Sequence, residues 1–216
     1  MAAEIASQSG GTAAAACPHI VFRDVLGQST VTELLQYVAA RQADFEPAVV
    51  RNRISGKLRV DYGLRSSVSL TDLGPFKAPL KAFAREIAAS ALAQLHLSES
   101  PTEPKDFEIT AFCDGNRFGA HIDTDERITE VRILSCVYYF AVTPRRFSGG
   151  GLRLYGFPTL SVTKRGPPPF VDVIPETDTM VIFPSWLRHE VLPVHVPSGD
   201  WLDSRFTINC WLHRVS

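Results

Sequence analysis

The sequence predicts an α+β domain whose β part is a sandwich or a barrel. Its first half carries apolar residues at helical spacing, whereas its second half consists of short segments rich in β-branched and aromatic residues. Three glycines at 149–151 and three prolines at 167–169 interrupt the second half and exclude long helices from it. Helices followed by about eight short strands are the pattern of an α+β fold.

The composition is that of one globular domain. The chain has 216 residues, and a domain commonly holds about 100–200. Hydrophobic residues make up 45% and charged residues 21%, as in folded chains, and no apolar run approaches the roughly 20 residues of a membrane helix. The net charge is −1, whereas nucleic-acid-binding proteins usually carry a clear excess of basic residues. We therefore expect neither a membrane nor a nucleic acid as partner.

Residues 1–17 are expected to form a flexible tail, and residues 18–216 a single domain. The tail is rich in alanine, glycine and serine, which bury little surface, and it lacks the basic start and apolar core of a secretory signal. Four widely separated cysteines show no paired metal-binding spacing, which indicates a reducing compartment, the cytoplasm. These cysteines are Cys17, Cys113, Cys136 and Cys210.

Two helices are expected before the β region. Thr30 and Glu33 have capping-box spacing, in which each side chain satisfies a backbone N–H at a helix start. A second helix runs from about Pro79, which a first helical turn tolerates, to about Leu97. One or two strands lie between the helices, where residues alternate from Leu58 to Leu70. The two apolar stripes are Val31, Leu34, Leu35, Val38 and Ala39, and Leu80, Phe83, Ile87, Ala91 and Leu95.

Six segments of the second half are predicted to be strands, because each is short, β-branched or aromatic in character, and bounded by turn residues. Several are apolar at most positions, which indicates strands that are covered on both faces. These segments are Phe107–Cys113, Arg132–Phe140, Leu152–Tyr155, Phe170–Ile174, Thr179–Phe183 and Arg205–Leu212.

The first candidate metal ligands are His121 and Asp123. In a strand these two side chains point to the same face, and an imidazole beside a carboxylate can hold a divalent metal. A His–Asp pair on the surface is the alternative. The turn residues at 114–116 place the pair near the start of a strand, where the mouth of a pocket is expected.

His189 offers a third ligand, because it opens an extended segment directly after an apolar strand and a turn. His195 competes for this role but lies beyond Pro193. A polar residue at a strand end is the alternative for His189. The other histidines, His19, His96 and His213, have no carboxylate at ligand spacing.

Arg205 opens a segment that alternates strictly. Arg205, Thr207 and Asn209 share one face of this strand, and four apolar residues share the other. An inward-facing arginine is costly unless it meets an anion, and its planar fork suits a carboxylate. An arginine at the first residue of the strand, with its guanidinium in solvent, is the alternative.

Taken in order, His121-x-Asp123, then His189, then Arg205 resemble the Fe(II)/2-oxoglutarate-dependent dioxygenases. The likeness is greatest to the prolyl-hydroxylase-like branch, which includes protein prolyl 4-hydroxylases and oxygen-sensing prolyl hydroxylases. It spans about residues 107–214. Three further segments match the family as well, namely Cys136–Phe140 (CVYYF), Ser148–Leu154 (SGGGLRL) and His189–Val194 (HEVLPV).

The resemblance implies a double-stranded β-helix, or jelly roll, over residues 106–216, with helices of a support region at 18–105 packed on its larger sheet. It implies no catalytic residue beyond the metal centre. Cys113 departs from the family, because those relatives carry a tyrosine there. By the resemblance, His121, Asp123 and His189 bind Fe(II), Arg205 anchors the distal carboxylate of 2-oxoglutarate, and Tyr139 and Thr207 assist it.

The implied activity is hydroxylation of an unactivated C–H bond, most simply of a prolyl or other amino-acid side chain, with O₂ and 2-oxoglutarate as co-substrates and succinate and CO₂ as products. Ascorbate is a further candidate cofactor. An amino acid, peptide or small molecule is the expected substrate, and a monomer or homodimer the expected state. The alternatives are a relative that acts on a small metabolite or damaged nucleic acid, and a jelly-roll module whose metal does no redox chemistry. Arg205 and Tyr139 favour the enzyme, since a binding module needs no anchor for 2-oxoglutarate.

The charged segment Thr124–Arg132 follows directly on the candidate ligands. It forms either a mobile lid over the substrate or a solvated loop. Trp186 and Trp211 are expected in the core or in the wall of a pocket rather than in a catalytic role.

Overall fold

Antiparallel β-sheet dominates the structure, with fifteen strands in the described part of the chain. The computed structural model describes residues 17–51, 55–124, 132–156 and 168–215. The strands are β1 (Ile20–Arg23), β2 (Glu46–Pro47), β3 (Val49–Arg51), β4 (Leu58–Val60), β5 (Val68–Leu70), β6 (Thr102–Phe112), β7 (Phe118–His121), β8 (Arg132–Phe140), β9 (Ser148–Gly149), β10 (Leu152–Tyr155), β11 (Phe170–Val173), β12 (Thr179–Pro184), β13 (His189–Val191), β14 (Val194–His195) and β15 (Arg205–Arg214).

Two sheets pack face to face. The larger has seven strands in the order β1-β12-β8-β15-β6-β5-β2, and the smaller has four in the order β11-β10-β13-β7. Two short pairs, β14 with β9 and β3 with β4, complete the β part. The apolar layer between the sheets consists of buried residues from both, namely Tyr139, Val181 and Phe183 of the larger sheet and Leu152, Leu154 and Val173 of the smaller, together with Cys17 and Leu187.

Helices α1 (Gln28–Ala40) and α2 (Lys77–Gln94) pack on the outer face of the larger sheet, as predicted. Their buried residues recur at helical spacing and meet the apolar outer face of the sheet. Among the residues described, neither helix combines the length and the apolar character that a membrane span requires. The helix residues in this core are Val31, Leu34 and Val38 of α1, and Leu80, Ala84, Ala88, Ala91 and Leu92 of α2.

Two expectations fall largely outside the described residues. Of the predicted tail, only the last residue, Cys17, is described. Of the predicted lid or loop, residues 125–131 lie outside the described residues. Cys17 is fully buried between the sheets, and its thiol donates to the carbonyl of Pro169 at 3.8 Å. Cys17 therefore belongs to the domain, because apolar packing holds it there, and not to the tail.

The predicted strands of the second half are all present, and two of them, β8 and β10, have the predicted bounds. Helix α2 begins two residues before Pro79 and ends at Gln94, before the predicted Leu97. The sequence analysis misses β1 and β2, which form the two edges of the larger sheet. An edge strand pairs on one side only and can be short, so its sequence carries little alternation.

Helix α1 begins before the predicted capping box, which is therefore wrong. Thr30 lies inside the first turn, where its hydroxyl donates to the carbonyl of Leu26 at 3.0 Å. The carboxylate of Asp178, from the turn before β12, instead accepts the backbone N–H groups of Leu26 and Gly27, both at 2.9 Å. The hydroxyl of Tyr138 donates to the same carboxylate at 2.9 Å. A distant residue thus fixes the helix start, which local spacing does not reveal.

Replacing Asp178 with alanine is expected to lower the free energy of unfolding by about 2–4 kcal/mol, because it strands two backbone donors and a buried phenol. Urea denaturation measures the change as a lower midpoint. Asp200→Ala is the matched control, since Asp200 is exposed and its side chain caps no helix N–H. Equal midpoints for the two variants would contradict the assigned role of Asp178.

Candidate active site

The structure brings the three predicted metal ligands together. His121 and His189 lie opposite each other on the paired strands β7 and β13, and Asp123 follows β7. His121 Nε2 is 3.4 Å from Oδ1 of Asp123, and His189 Nε2 is 3.6 Å from Oδ2. One potential ligand atom from each residue lies within 4.8 Å of the other two. Two imidazoles and a carboxylate at this spacing fit a single divalent metal ion.

Each imidazole ring is oriented by the backbone carbonyl two residues before it. Nδ1 of His121 donates to the carbonyl of Gly119 at 2.9 Å, and Nδ1 of His189 donates to that of Leu187 at 2.8 Å. A carbonyl only accepts, so each neutral ring carries its proton on Nδ1 and leaves Nε2 free as a metal ligand. Burial, with His121 alongside, lowers the pKa of His189 to about 4, so this ring is neutral near pH 7.

Asp123 is held by donors from the larger sheet. Its Oδ2 accepts from the hydroxyl of Ser135 at 2.7 Å and from the indole N–H of Trp211 at 2.8 Å. Burial by itself would raise the pKa of the Asp123 carboxyl, but His189, His121 and the Ser135 hydroxyl together hold it well below its usual range. The carboxylate is therefore ionised, the state in which it binds metal. Trp211 lies in the pocket wall as predicted, whereas nothing in the sequence singled out Ser135.

A cavity of about 1230 Å³ opens over these side chains. Its wall includes the inner faces of β6 and β15, and two of the predicted co-substrate residues, Arg205 and Thr207, line it together with the three ligand candidates. Thr207 is buried and lies across the strand pair from Tyr139. The cavity thus connects the cluster of three metal-ligand candidates with the inner face of β15, which carries Arg205 and Thr207 as the alternation predicted.

The guanidinium of Arg205 is buried without an ionic partner. Only 1% of this residue is exposed, and its three side-chain nitrogens have no hydrogen-bond partner among the described residues. It lies between the rings of Phe112 and Tyr139, with centroid distances of 4.8 and 5.0 Å. The Tyr139 hydroxyl, also buried, is equally unpartnered within the described part of the chain. The alternative of a solvent-exposed guanidinium is therefore wrong.

This pair of groups fits a bound carboxylate. Burial lowers the pKa of the Arg205 guanidinium and raises the pKa of the Tyr139 hydroxyl. Arginine nevertheless stays protonated in proteins. A cation and a phenolic donor therefore lie close together, and neither has an acceptor among the described residues. An unpaired buried charge costs several kcal/mol, which an anionic ligand at this place would offset.

Gly150 makes room for Arg205. It adopts a φ of +66°, and a Cβ atom on it would lie 2.6 Å from Cδ of Arg205 and 2.9 Å from Cγ2 of Val194. A side chain at this position is excluded by both backbone conformation and space. The glycine run that interrupts the second half of the sequence therefore also leaves space for the side chain of Arg205.

Two other residues from the sequence analysis lie outside the cluster. His195 has an exposed ring that pairs with Asp114 at 3.0 Å, so His189 and not His195 joins the other two ligand candidates. Cys113, where the resembling family has a tyrosine, accepts a hydrogen bond from the hydroxyl of Ser204 at 3.6 Å. The thiol thus lies beside the residue that precedes Arg205.

A buried ion pair between Arg65 and Glu108 forms a further part of the cavity wall. Arg65 is nearly buried and contacts Glu108 at 2.7 Å and the hydroxyl of Thr110 at 3.1 Å. Its guanidinium lies over the ring of Phe118 at 5.0 Å, and that ring stacks on His121 at 3.7 Å. The pair thereby supports one of the ligand rings from behind.

The part of the chain that carries this site resembles known proteins in sequence. The sequence model of the 2OG-Fe(II) oxygenase superfamily matches residues 107–213. The chain is 37% identical over 123 residues to an uncharacterized PKHD-type hydroxylase of Synechocystis sp., a match that covers 57% of this chain and 41% of that protein. The chain thus spans about two fifths of the length of this curated relative.

Solved structures show the fold. A prolyl-4-hydroxylase of Pseudomonas putida superposes with a TM-score of 0.62 at 21% identity, covering 94% of this chain and 96% of its own. A prolyl hydroxylase of Trichoplax adhaerens, in complex with a hypoxia inducible factor peptide, does so with 0.60 at 19%, covering 91% and 83%. The predicted jelly roll is thereby confirmed. This chain belongs to the 2OG-Fe(II) oxygenase superfamily, and prolyl hydroxylases are among the proteins that share its fold.

Proposed function

We propose that this protein is an Fe(II)- and 2-oxoglutarate-dependent dioxygenase that hydroxylates a prolyl or other amino-acid side chain. The observation that carries the proposal is the buried guanidinium of Arg205, which has no hydrogen-bond partner among the described residues and lies in the cavity that also holds the His121, Asp123 and His189 cluster. A module that merely held a metal would gain nothing from this cation. A dicarboxylate co-substrate explains why it is kept.

The residues have distinct tasks in this proposal. His121, Asp123 and His189 would hold Fe(II), which supplies, with 2-oxoglutarate and O₂, the oxidation of an unactivated C–H bond to an alcohol. Arg205 would bind the distal carboxylate of 2-oxoglutarate through its planar fork, since two parallel N–H donors match a carboxylate. Tyr139 would donate its hydroxyl to the same group.

Thr207 would line the path between anchor and metal. It is buried on the inner face of β15, two residues after Arg205, and it lines the cavity. The apolar residues around Arg205, among them Phe112, would exclude water from the bound carboxylate and so strengthen the ion pair. Positioning and water exclusion are thus the tasks of the protein, while the metal supplies reactivity.

The prolyl part of the proposal draws on the relatives. The solved structures with the same fold include prolyl hydroxylases, one of them with a bound peptide. The cavity of about 1230 Å³ leaves room for an amino-acid side chain beside a small co-substrate. Proline-containing peptides are therefore the first substrates to test, with free amino acids and methylated DNA as comparisons.

Anaerobic addition of 2-oxoglutarate to the Fe(II)-loaded protein is expected to produce a weak visible charge-transfer band. Admission of oxygen should then yield succinate, and the matching peptide or amino acid should increase its rate of formation. Bound iron without such a band would contradict the proposal. Stimulation by methylated DNA alone would agree with the dependence on Fe(II) and 2-oxoglutarate, but it would contradict the proposal of an amino-acid substrate.

Three finer expectations stay predictions. The four cysteines are free thiols, which fits a cytoplasmic location. Ascorbate is expected to sustain turnover when 2-oxoglutarate is consumed without substrate. The protein is expected to be a monomer or a homodimer.

A further inference from the structure

Two donors from the larger sheet converge on one oxygen of Asp123. The hydroxyl of Ser135 and the indole N–H of Trp211 both donate to Oδ2, at 2.7 and 2.8 Å. They lie side by side because Ser135 and Trp211 are cross-strand partners on β8 and β15. A carboxylate oxygen offers about two acceptor sites, so these two bonds engage Oδ2 fully.

Both oxygens lie near the histidines, Oδ1 at 3.4 Å from Nε2 of His121 and Oδ2 at 3.6 Å from Nε2 of His189, but Oδ1 accepts from neither of these two donors. We propose that Ser135 and Trp211 are positioning residues that fix Asp123 by Oδ2 and present Oδ1 alone to the metal. This inference rests on the proposed function, because it assigns a role around the metal that function requires. It differs from the ligand assignment, since neither residue would touch the metal.

A single-oxygen contact has a chemical purpose. A metal held by three protein ligands would keep open positions for 2-oxoglutarate and O₂. A carboxylate that used both oxygens, as carboxylates on metal ions often do, would take one of those positions. Holding Oδ2 with two strong donors disfavours that change, because both bonds would have to break.

The two donors are themselves held in place. Ser135 is 1% exposed, and its hydroxyl also contacts that of Ser185 at 3.0 Å. The ring of Trp211 lies under the guanidinium of Arg132 at 3.9 Å, and Arg132 pairs with Asp106 at 2.9 Å. Packing and ion pairing thus hold the indole in the orientation in which it donates to Asp123.

The test uses Co(II), which replaces Fe(II) without oxidation and reports its ligands by visible absorption. Ser135→Ala and Trp211→Phe are each expected to weaken Co(II) binding about 10- to 100-fold and to alter the absorption bands of the loaded protein. Trp201→Phe is the matched control, because the indole N–H of Trp201 donates to the carbonyl of Val38 on the helix side of the sheet. The control should keep wild-type affinity and spectrum.

A purely structural role would lower the midpoint of unfolding but leave the Co(II) spectrum unchanged. Wild-type affinity and spectrum in Ser135→Ala would overturn the inference even where Trp211→Phe fails to fold. Wild-type protein that binds no Co(II) or Fe(II) would instead overturn the proposed function itself, and the inference with it. The two failures are therefore distinguishable.

Discussion

Arg205→Met is expected to abolish productive binding of 2-oxoglutarate while leaving the ligand-free protein at least as stable as the wild type. Removing one partner of a buried, hydrogen-bonded charge pair costs about 2–5 kcal/mol. This range corresponds to an affinity about 30- to 4,000-fold weaker. The stability should not fall, because methionine fills a similar volume and removes a buried cation that has no partner among the described residues.

Calorimetric titration of 2-oxoglutarate into metal-loaded protein measures the first effect, and thermal unfolding without 2-oxoglutarate measures the second. Arg188→Ala is the matched control, because Arg188 also lines the cavity but is exposed. Metal affinity should stay unchanged in both variants. Unaltered 2-oxoglutarate affinity in Arg205→Met would remove the main ground for an enzyme over a binding module.

His189→Ala is expected to remove Fe(II) binding at micromolar metal and with it all succinate formation. Loss of an outer partner of a metal ligand already weakens binding about 10- to 100-fold, so loss of a ligand should weaken it by more. His195→Ala is the matched control, since His195 follows closely in sequence but has an exposed ring paired with Asp114. Metal titration monitored by Co(II) absorption separates the two.

Wild-type metal affinity in His195→Ala, together with its loss in His189→Ala, would support the ligand set of His121, Asp123 and His189. The reverse result would mean that the chosen histidine is wrong. Equal losses in both variants would contradict the distinction drawn between the two histidines.

Local patterns predicted the strands that carry the site and little of what surrounds it. Short β-branched and aromatic segments bounded by turn residues placed β8 and β10 to the residue, and the strict alternation after Arg205 gave the inner face of β15. The start of helix α1 was predicted wrongly, because the backbone N–H groups just before it, those of Leu26 and Gly27, donate to the carboxylate of Asp178 from a distant turn. Such contacts depend on sheet order, which short-range spacing does not encode.

The same limit applies to the candidate site. His121 and His189 were found because order, spacing and a family resemblance all pointed to them, and the structure pairs them across β7 and β13. Ser135 escaped notice, since a serine inside an apolar strand carries no signal of its own. The role of Gly150 was equally hidden: its neighbour Arg205 lies far along the chain, and only the folded structure brings the two together.

The division of the site between two sheets determines where the molecule tolerates change. The histidines belong to the smaller sheet, whereas the donors that hold Asp123 belong to the larger. The layer between the sheets, which includes Val181 and Leu154, therefore sets the spacing within the metal-type cluster. The helix layer, which includes Leu34, packs on the outer face of the larger sheet, the face opposite the cavity. Substitutions of equal size should consequently disturb the cluster more in the layer between the sheets than in the helix layer.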